Sequence, residues 1–131
     1  GYTKEEMKMV WETKKILGDE NVLVNPTAVR VPVFFGHGES LHIETSAQIS
    51  AEEVKVLLSQ AEGIVVCQND EDFPTQITDA SGKDETFVGR IRDDISHAHG
   101  INMWIVADNV RKGAATNSVQ IAELLVKDYL S

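Results

Sequence analysis

The fold is decided by two predicted β-strands that lie close together in the chain, Thr86-Phe87-Val88-Gly89-Arg90-Ile91-Arg92-Asp93 and Asn102-Met103-Trp104-Ile105-Val106-Ala107-Asp108. Both contain many β-branched and aromatic residues, which favour strands over helices. The turn Ser96-His97-Ala98-His99-Gly100 separates them. This part of the chain therefore predicts consecutive strands of a sheet.

Further strands are predicted on the N-terminal side of this pair. Val29-Arg30-Val31-Pro32-Val33-Phe34-Phe35 has strand-like composition, and Pro32 cannot donate a ladder hydrogen bond, so we expect an edge strand or a bulge. After the turn Gly36-His37-Gly38-Glu39, the stretch Leu41-His42-Ile43-Glu44-Thr45 alternates apolar and polar residues like a half-buried strand. We expect these two strands to be neighbours, and a short strand is predicted over Ile64–Cys67.

Three helices are predicted to cover the sheet. They span Thr3 to Leu17, Ser50 to about Gly63, and about Ala114 to Leu130. The first two begin with a Ser or Thr followed three residues later by Glu, which is the pattern of a capping box. The polar stretch Gln68–Glu85 is expected to be an exposed excursion. Loops of this length often have a function, which would partly explain it. The order of elements predicts one α+β domain with a mixed, mainly antiparallel sheet covered by helices.

Composition excludes several classes of protein. The 131 residues carry a net charge of -9, so the surface repels phosphate backbones and anionic lipids, and we expect neither nucleic acid nor a membrane as partner. A single cysteine allows no intramolecular disulfide. Gly1 opens the chain without an initiator Met and runs directly into a helical pattern, so we expect a fragment of a longer polypeptide.

Candidate functional residues are dispersed, because the chain has no phosphate-binding glycine loop and no paired metal-ligand motif. Glu5 and Lys8 share a helix face and could bind a zwitterionic or phosphorylated ligand, or form an exposed ion pair. Arg30, in an apolar stretch, suits bidentate binding of a carboxylate, or else a salt bridge or a solvent-facing position. His37 lies between two glycines and could be a general acid or base, or a solvated turn residue.

Three other features have simpler interpretations. His97 and His99 have a spacing that could bind a metal, but a surface loop is the better interpretation, and no metal is predicted. Cys67 ends an apolar strand without a neighbour that would lower its pKa, which favours a buried, inert thiol. The loop Asp108–Ala115 joins a strand to a helix, a common place for a cofactor or substrate to bind.

Together these segments resemble the C-terminal portion of the bacterial aspartate-β-semialdehyde dehydrogenase family. Three strings carry the resemblance: Val29-Arg30-Val31-Pro32-Val33 with Gly36-His37-Gly38-Glu39, then Val88-Gly89-Arg90-Ile91-Arg92-Asp93, then Asp108-Asn109-Val110-Arg111-Lys112-Gly113-Ala114-Ala115-Thr116-Asn117-Ser118-Val119-Gln120-Ile121-Ala122-Glu123. Their shared order makes the likeness specific over essentially the whole chain. It implies an α+β fold like the C-terminal domain of glyceraldehyde-3-phosphate dehydrogenase-like proteins. The helix at about 114–130 would then pack on an absent nucleotide-binding half.

The resemblance also implies an activity and a set of roles. The family reduces β-aspartyl phosphate to aspartate semialdehyde with NADPH, a step toward lysine, threonine and methionine, and a cytoplasmic homodimer is expected. Arg30 corresponds to the residue that binds the substrate carboxylate and His37 to the acid/base histidine. Glu5 corresponds to the residue that faces the substrate amino group and Lys8 to the one that binds phosphate. Asn109 falls where the family contacts the nicotinamide end of NADP.

The chain departs from the family pattern in two places and lacks two parts of it. Ala28 stands where many members carry cysteine, and Gly38 replaces a frequent serine. The nucleophilic cysteine and the Rossmann half, expected to bind NADP, are missing, and Cys67 does not match the nucleophile, so the fragment alone is predicted to be inactive. The alternatives are a non-catalytic paralogue acting as a dimerising module, and a related dehydrogenase for another acyl phosphate or acyl thioester.

Overall fold

The computed structural model describes residues 1–69, 71 and 73–130. The chain forms two compact units, Gly1–Pro32 and Val33–Ser131, called below the N-terminal and the C-terminal unit. The organisation of the whole chain as a single domain remains a prediction.

Helix α1, Lys4–Leu17, is the main element of the N-terminal unit, and its predicted limits are confirmed. The capping box is present, with the Thr3 hydroxyl accepting from the Glu6 amide and the Glu6 carboxylate accepting from the Thr3 amide. The second Glu6 oxygen accepts the Ala28 N–H at 2.9 Å, which ties the helix start to the chain that follows. Three donors on one carboxylate, with the Thr3 amide contributing most, hold the pKa of Glu6 below its ordinary value.

The predicted strand Val29–Phe35 is wrong. These residues form no strand, and Val29, Val31 and Phe34 are exposed, Phe34 to 98%. Pro32 has no N–H for a ladder, and an apolar composition alone does not supply a partner strand. The sheet begins only at His37, inside the predicted turn Gly36–Glu39, so the expected pairing of Val29–Phe35 with the next strand is wrong too.

The C-terminal unit contains a four-stranded sheet in the order β1-β4-β3-β2. Its strands are β1 (His37–Glu44), β2 (Ile64–Val66), β3 (Thr86–Asp93) and β4 (Gly100–Ala107). The pairs β1–β4 and β3–β4 are antiparallel, and β2–β3 is parallel. The predicted mixed, mainly antiparallel sheet is therefore confirmed, as are the limits of β3.

The parallel pairing of β2 with β3 explains the long connection between them. Two consecutive strands can run parallel only if the chain crosses back over the sheet. The crossover contains a π-helical turn, Gln76–Ala80, and its Pro74 and Ala80 are buried. The prediction of an exposed excursion over Gln68–Glu85 is thus wrong for this part of the described chain.

The core of the C-terminal unit lies between the sheet and α2 (Ala51–Ser59). It consists of Val88, Ile91, Ile101 and Met103, against which Val54 and Leu58 of α2 pack. The predicted capping box of α2 is present, and the Asp93 carboxylate at the end of β3 accepts the Ala51 N–H at 2.7 Å. The helix starts where the sequence predicts it and ends four residues earlier, at Ser59.

The predicted C-terminal helical region is confirmed, but only its central part is an α-helix. A π-helical turn, Arg111–Ala115, precedes α3 (Thr116–Leu125), and a second, Val126–Leu130, follows it. Many apolar side chains here are exposed, including Leu125, Val126 and Tyr129. Within the described residues, no helix combines the length and the apolar character needed to cross a bilayer.

Asp94 supplies a test of this fold by pH. Its carboxylate accepts hydrogen bonds from the Ser96 amide and hydroxyl, both at 2.7 Å, and lies 2.6 Å from Nε2 of His42 on β1. These contacts, the Ser96 amide first, lower the pKa of Asp94 from 3.8 to about 2.

We therefore expect Asp94 to stabilise the fold fully above pH 3.8 and to lose that contribution as the pH falls toward about 2. Urea denaturation at a series of acidic pH values should show a smaller fall in the free energy of unfolding for Asp94→Asn than for the wild type. An exposed control, Glu62→Gln, should follow the wild type. Parallel curves for all three proteins would contradict the assignment.

Candidate functional site

His37 is the first residue of β1 and lies opposite Ala107, the last residue of β4. Gly36 precedes it with φ +91, in the left-handed region where side chains are strained. A Cβ atom on Gly36 would lie 3.1 Å from the Ala107 carbonyl oxygen and 3.0 Å from Cβ of Gln76. Glycine is therefore required here by both conformation and space, and the exposed His37 ring begins from a fixed backbone.

Asn109 is joined directly to the Gly36–Gly38 stretch where the chain enters β1, and this stretch is called the His37 turn from here on. Its Oδ1 accepts the Gly36 N–H at 3.0 Å, although 73 positions separate the two residues in the chain. The structure thus brings together two of the predicted site residues, His37 and Asn109, through Gly36. Their meeting follows from the register of β1 and β4, because Asn109 comes two residues after the end of β4.

Two residues that sequence reasoning missed pack on the same turn. A Cβ on Gly38 would contact Nε2 of Gln76 and would lie 2.7 Å from Cη2 of Trp104. Trp104 Nε1 donates to the Pro74 carbonyl oxygen at 2.8 Å, which holds the crossover against the sheet. The glycines around His37 predicted a close approach of some group, but no local pattern identifies Gln76 as that group.

Glu5 and Arg30 meet in the N-terminal unit. Arg30 Nη2 donates to Glu5 Oε2 at 3.0 Å, and the Arg30 side chain is 88% exposed. The expectation of a charge within an apolar strand is therefore wrong, and the two open alternatives occur together, because Arg30 forms a salt bridge and also faces solvent. An exposed ion pair is weak, so the Arg30 guanidinium can exchange Glu5 for another carboxylate at little cost.

Lys8 forms an ion pair within its own helix. Lys8 Nζ lies 3.6 Å from Glu12 Oε1, an exposed i,i+4 pair on α1. Glu5, Lys8 and Arg30 belong to the N-terminal unit, whereas His37 and Asn109 belong to the C-terminal unit. The roles predicted for these five residues remain predictions.

The loop Asp108–Ala115 is held by internal contacts. Arg111 binds the Asp84 carboxylate in bidentate fashion at 2.7 and 3.0 Å, which raises the pKa of Arg111 and lowers that of Asp84. Lys112 Nζ donates to Gln120 Oε1 at 2.7 Å. Both cations of the loop are thus engaged with groups of the chain, and Asn109 is the predicted binding residue of this loop that reaches the His37 turn.

Among the residues that the structure describes, the side chains of His97, His99 and Cys67 form no metal site. His97 is exposed, and its ring meets His99 edge to face with centroids 5.9 Å apart. Cys67 is half-buried rather than fully buried as expected. No group of three or more His, Cys, Asp and Glu side chains in the described part of the chain is arranged to hold a metal ion.

The chain is similar in sequence to one family of known proteins. Residues 1–112 match the family described as semialdehyde dehydrogenase, dimerisation domain. An aspartate-semialdehyde dehydrogenase of Shewanella sp. (strain DB6705) is 63% identical over 129 residues, which are 98% of this chain and 38% of the relative.

Solved structures give the same result. Aspartate semialdehyde dehydrogenase II from Vibrio cholerae, crystallised in complex with ASA, is 66% identical with a TM-score of 0.94, covering 98% of this chain and 38% of that one. A probable aspartate-semialdehyde dehydrogenase from Pseudomonas aeruginosa is 38% identical with a TM-score of 0.89, with the same two coverages. The chain thus spans about two fifths of the length of the relatives that it matches.

The geometry of the His37 turn yields a stability prediction. Gly36→Ala puts a Cβ into a left-handed conformation, which costs about 1–2 kcal/mol, and adds contacts at 3.0 and 3.1 Å. We expect the free energy of unfolding, from urea denaturation, to fall by at least about 1 kcal/mol. Gly113→Ala is the matched control, because its nearest contact would be at 3.9 Å. Equal stability of the two variants would show that the turn is not constrained as described.

Proposed function

Because the chain belongs to the semialdehyde dehydrogenase dimerisation-domain family, we propose that it is the C-terminal, substrate-binding and dimerising part of an aspartate-semialdehyde dehydrogenase. The observation that carries the proposal is the meeting of Asn109 with the His37 turn at one end of the sheet. These are the residues whose family counterparts contact the cofactor and perform acid/base chemistry. The relatives' names and the identity over 98% of the chain support the same conclusion.

The proposed reaction of the full-length enzyme is the reductive dephosphorylation of β-aspartyl phosphate to aspartate semialdehyde and phosphate, in lysine, threonine and methionine biosynthesis. A cysteine thiolate from the remainder of the polypeptide displaces phosphate and becomes acylated. NADPH, bound mainly by the remainder of the polypeptide, would supply a hydride to the acyl carbon, and cleavage of the C–S bond would then release aspartate semialdehyde and return the thiolate. The 131-residue chain alone is then inactive, since it has neither the nucleotide-binding half nor a cysteine at the nucleophile's position.

This chain's own residues bind the substrate and move a proton. Arg30 binds the substrate carboxylate with its exposed guanidinium, for which planar, paired N–H donors are suited. Glu5 then faces the substrate amino group and Lys8 the phosphate, both from α1. His37 gives a proton to, or takes one from, the oxygen at the reacting carbon. Asn109, whose Oδ1 accepts the Gly36 N–H, would contact the nicotinamide end of the cofactor.

The exposed apolar residues support a role in assembly. The C-terminal helical region exposes a run that includes Leu124, Leu125, Val126 and Tyr129. Exposed apolar side chains in such number are characteristic of an interface. We assign to the helix at about 114–130 the role of packing on the nucleotide-binding half. We also propose that the enzyme is a homodimer, as the family's description implies. The whole enzyme is expected to be cytoplasmic.

Replacing Arg30 tests substrate binding in the full-length enzyme. Arg30→Lys keeps the charge and loses the bidentate geometry, so we expect KM for the acyl phosphate to rise roughly 10- to 100-fold with kcat little changed. Steady-state kinetics measure both constants, and Arg92→Lys, on β3, is the matched control. An unchanged KM would remove Arg30 from the substrate site.

Replacing His37 tests the chemistry. His37→Asn keeps a polar side chain and cannot exchange a proton near neutral pH, so we expect kcat to fall by roughly two to four powers of ten at similar KM. His97→Asn, on the β3–β4 turn, should keep wild-type turnover. Full activity of the His37 variant would exclude the acid/base assignment, and a wild-type full-length protein without turnover would favour a non-catalytic dimerising module.

A further inference from the structure

Asp108 is a buried carboxylate next to the site that the proposed chemistry does not use. Its residue is only 4% exposed, and it immediately follows β4. A buried acidic group is costly unless hydrogen bonds satisfy it. The hydrogen-bond partners of Asp108 therefore indicate its role.

The Asp108 carboxylate binds two backbone amides from different parts of the chain. Oδ2 accepts the Gly82 N–H at 2.9 Å, at the end of the crossover, and Oδ1 accepts the Val110 N–H at 3.0 Å. These bonds, Gly82 first, hold the pKa of Asp108 below its ordinary value. The side chain is therefore charged at neutral pH and joins the crossover to the turn after β4.

Both groups that Asp108 fixes lead to His37. The turn closed by Val110 contains Asn109, whose Oδ1 holds the Gly36 N–H. The crossover tied down at Gly82 carries Gln76, which packs against Gly36 and would be met by a Cβ on Gly38. Loss of the carboxylate therefore loosens two independent contacts on the backbone that flanks His37.

We propose that Asp108 is a positioning residue for His37, acting through Asn109 on one side and through the Gln76–Gly82 part of the crossover on the other. The assignment rests on the proposed acid/base role of His37. In this role Asp108 does not touch the substrate but fixes the position of the His37 imidazole. A displacement of about 1 Å in such a group can lower turnover on the order of 100-fold.

The test is Asp108→Asn in the full-length enzyme. The amide keeps the shape of the side chain but presents an N–H₂ group to one of the two backbone donors. We expect kcat per folded active site to fall roughly 10- to 100-fold with KM within about twofold. The limb of the kcat–pH profile that reports His37 should shift as well, because its surroundings change.

Asp93→Asn is the matched control. Asp93 also lies in the C-terminal unit and its carboxylate accepts a backbone amide, the Ala51 N–H at 2.7 Å, but it lies opposite Ile101, at the other end of the sheet from His37 and Ala107. It should lose thermal stability while keeping kcat and the pH profile. If Asp108→Asn behaves in the same way, with a lower Tm and unchanged kcat per folded site, Asp108 is structural only and the proposal is overturned.

Asp108→Ser covers the case in which the asparagine variant does not fold. A serine hydroxyl can still accept the Val110 N–H in a turn but is too short to hold Gly82. We expect kcat per folded site to fall and the same limb of the pH profile to shift, because the Gly82 contact is lost, whereas wild-type kcat would overturn the proposal. The kcat of His37→Asn is measured in parallel. If kcat falls in the His37 variant but not in the Asp108 variants, only the positioning role is rejected. If kcat does not fall in the His37 variant, the proposed function is rejected.

Discussion

The antiparallel register of β1 and β4 is the constraint on which the rest of the structure depends. It sets His37 opposite Ala107, so that the start of one strand and the end of the other meet at one edge of the sheet. The chain then continues from Ala107 into Asp108 and Asn109, whose side chains reach back to backbone amides. A slip of one residue would turn the apolar face of β4 outward and part these groups.

The crossover between β2 and β3 turns this strand pairing into a fixed site. A parallel pair requires a long connection, and this one packs back on the sheet through Pro74, Gln76 and Ala80. Its Gln76 therefore packs against Gly36 and Gly38, while Asn109 accepts the Gly36 N–H. The same segment that satisfies the topology also limits the position of the candidate acid/base group.

The parts of the fold that follow from local chemistry could be predicted from the sequence. The caps at Thr3 and Ser50 and the limits of β3 depend on neighbouring residues, and the structure confirms them. The strand at Val29–Phe35 failed because strand composition does not say whether a partner exists. The Glu5–Arg30 ion pair and the packing of Gln76 join residues 25 or more positions apart, and no periodicity encodes such contacts.

Asn109 holds the His37 turn in place before any ligand binds. Amide hydrogen exchange at Gly36, followed residue by residue by NMR, tests it most directly, because this N–H donates to Asn109 Oδ1 at 3.0 Å. We predict that the Gly36 amide exchanges as slowly as the paired amides of β1 and β4, and that Asn109→Ala makes its exchange fast. Rapid exchange at Gly36 in the wild type would contradict a preformed turn.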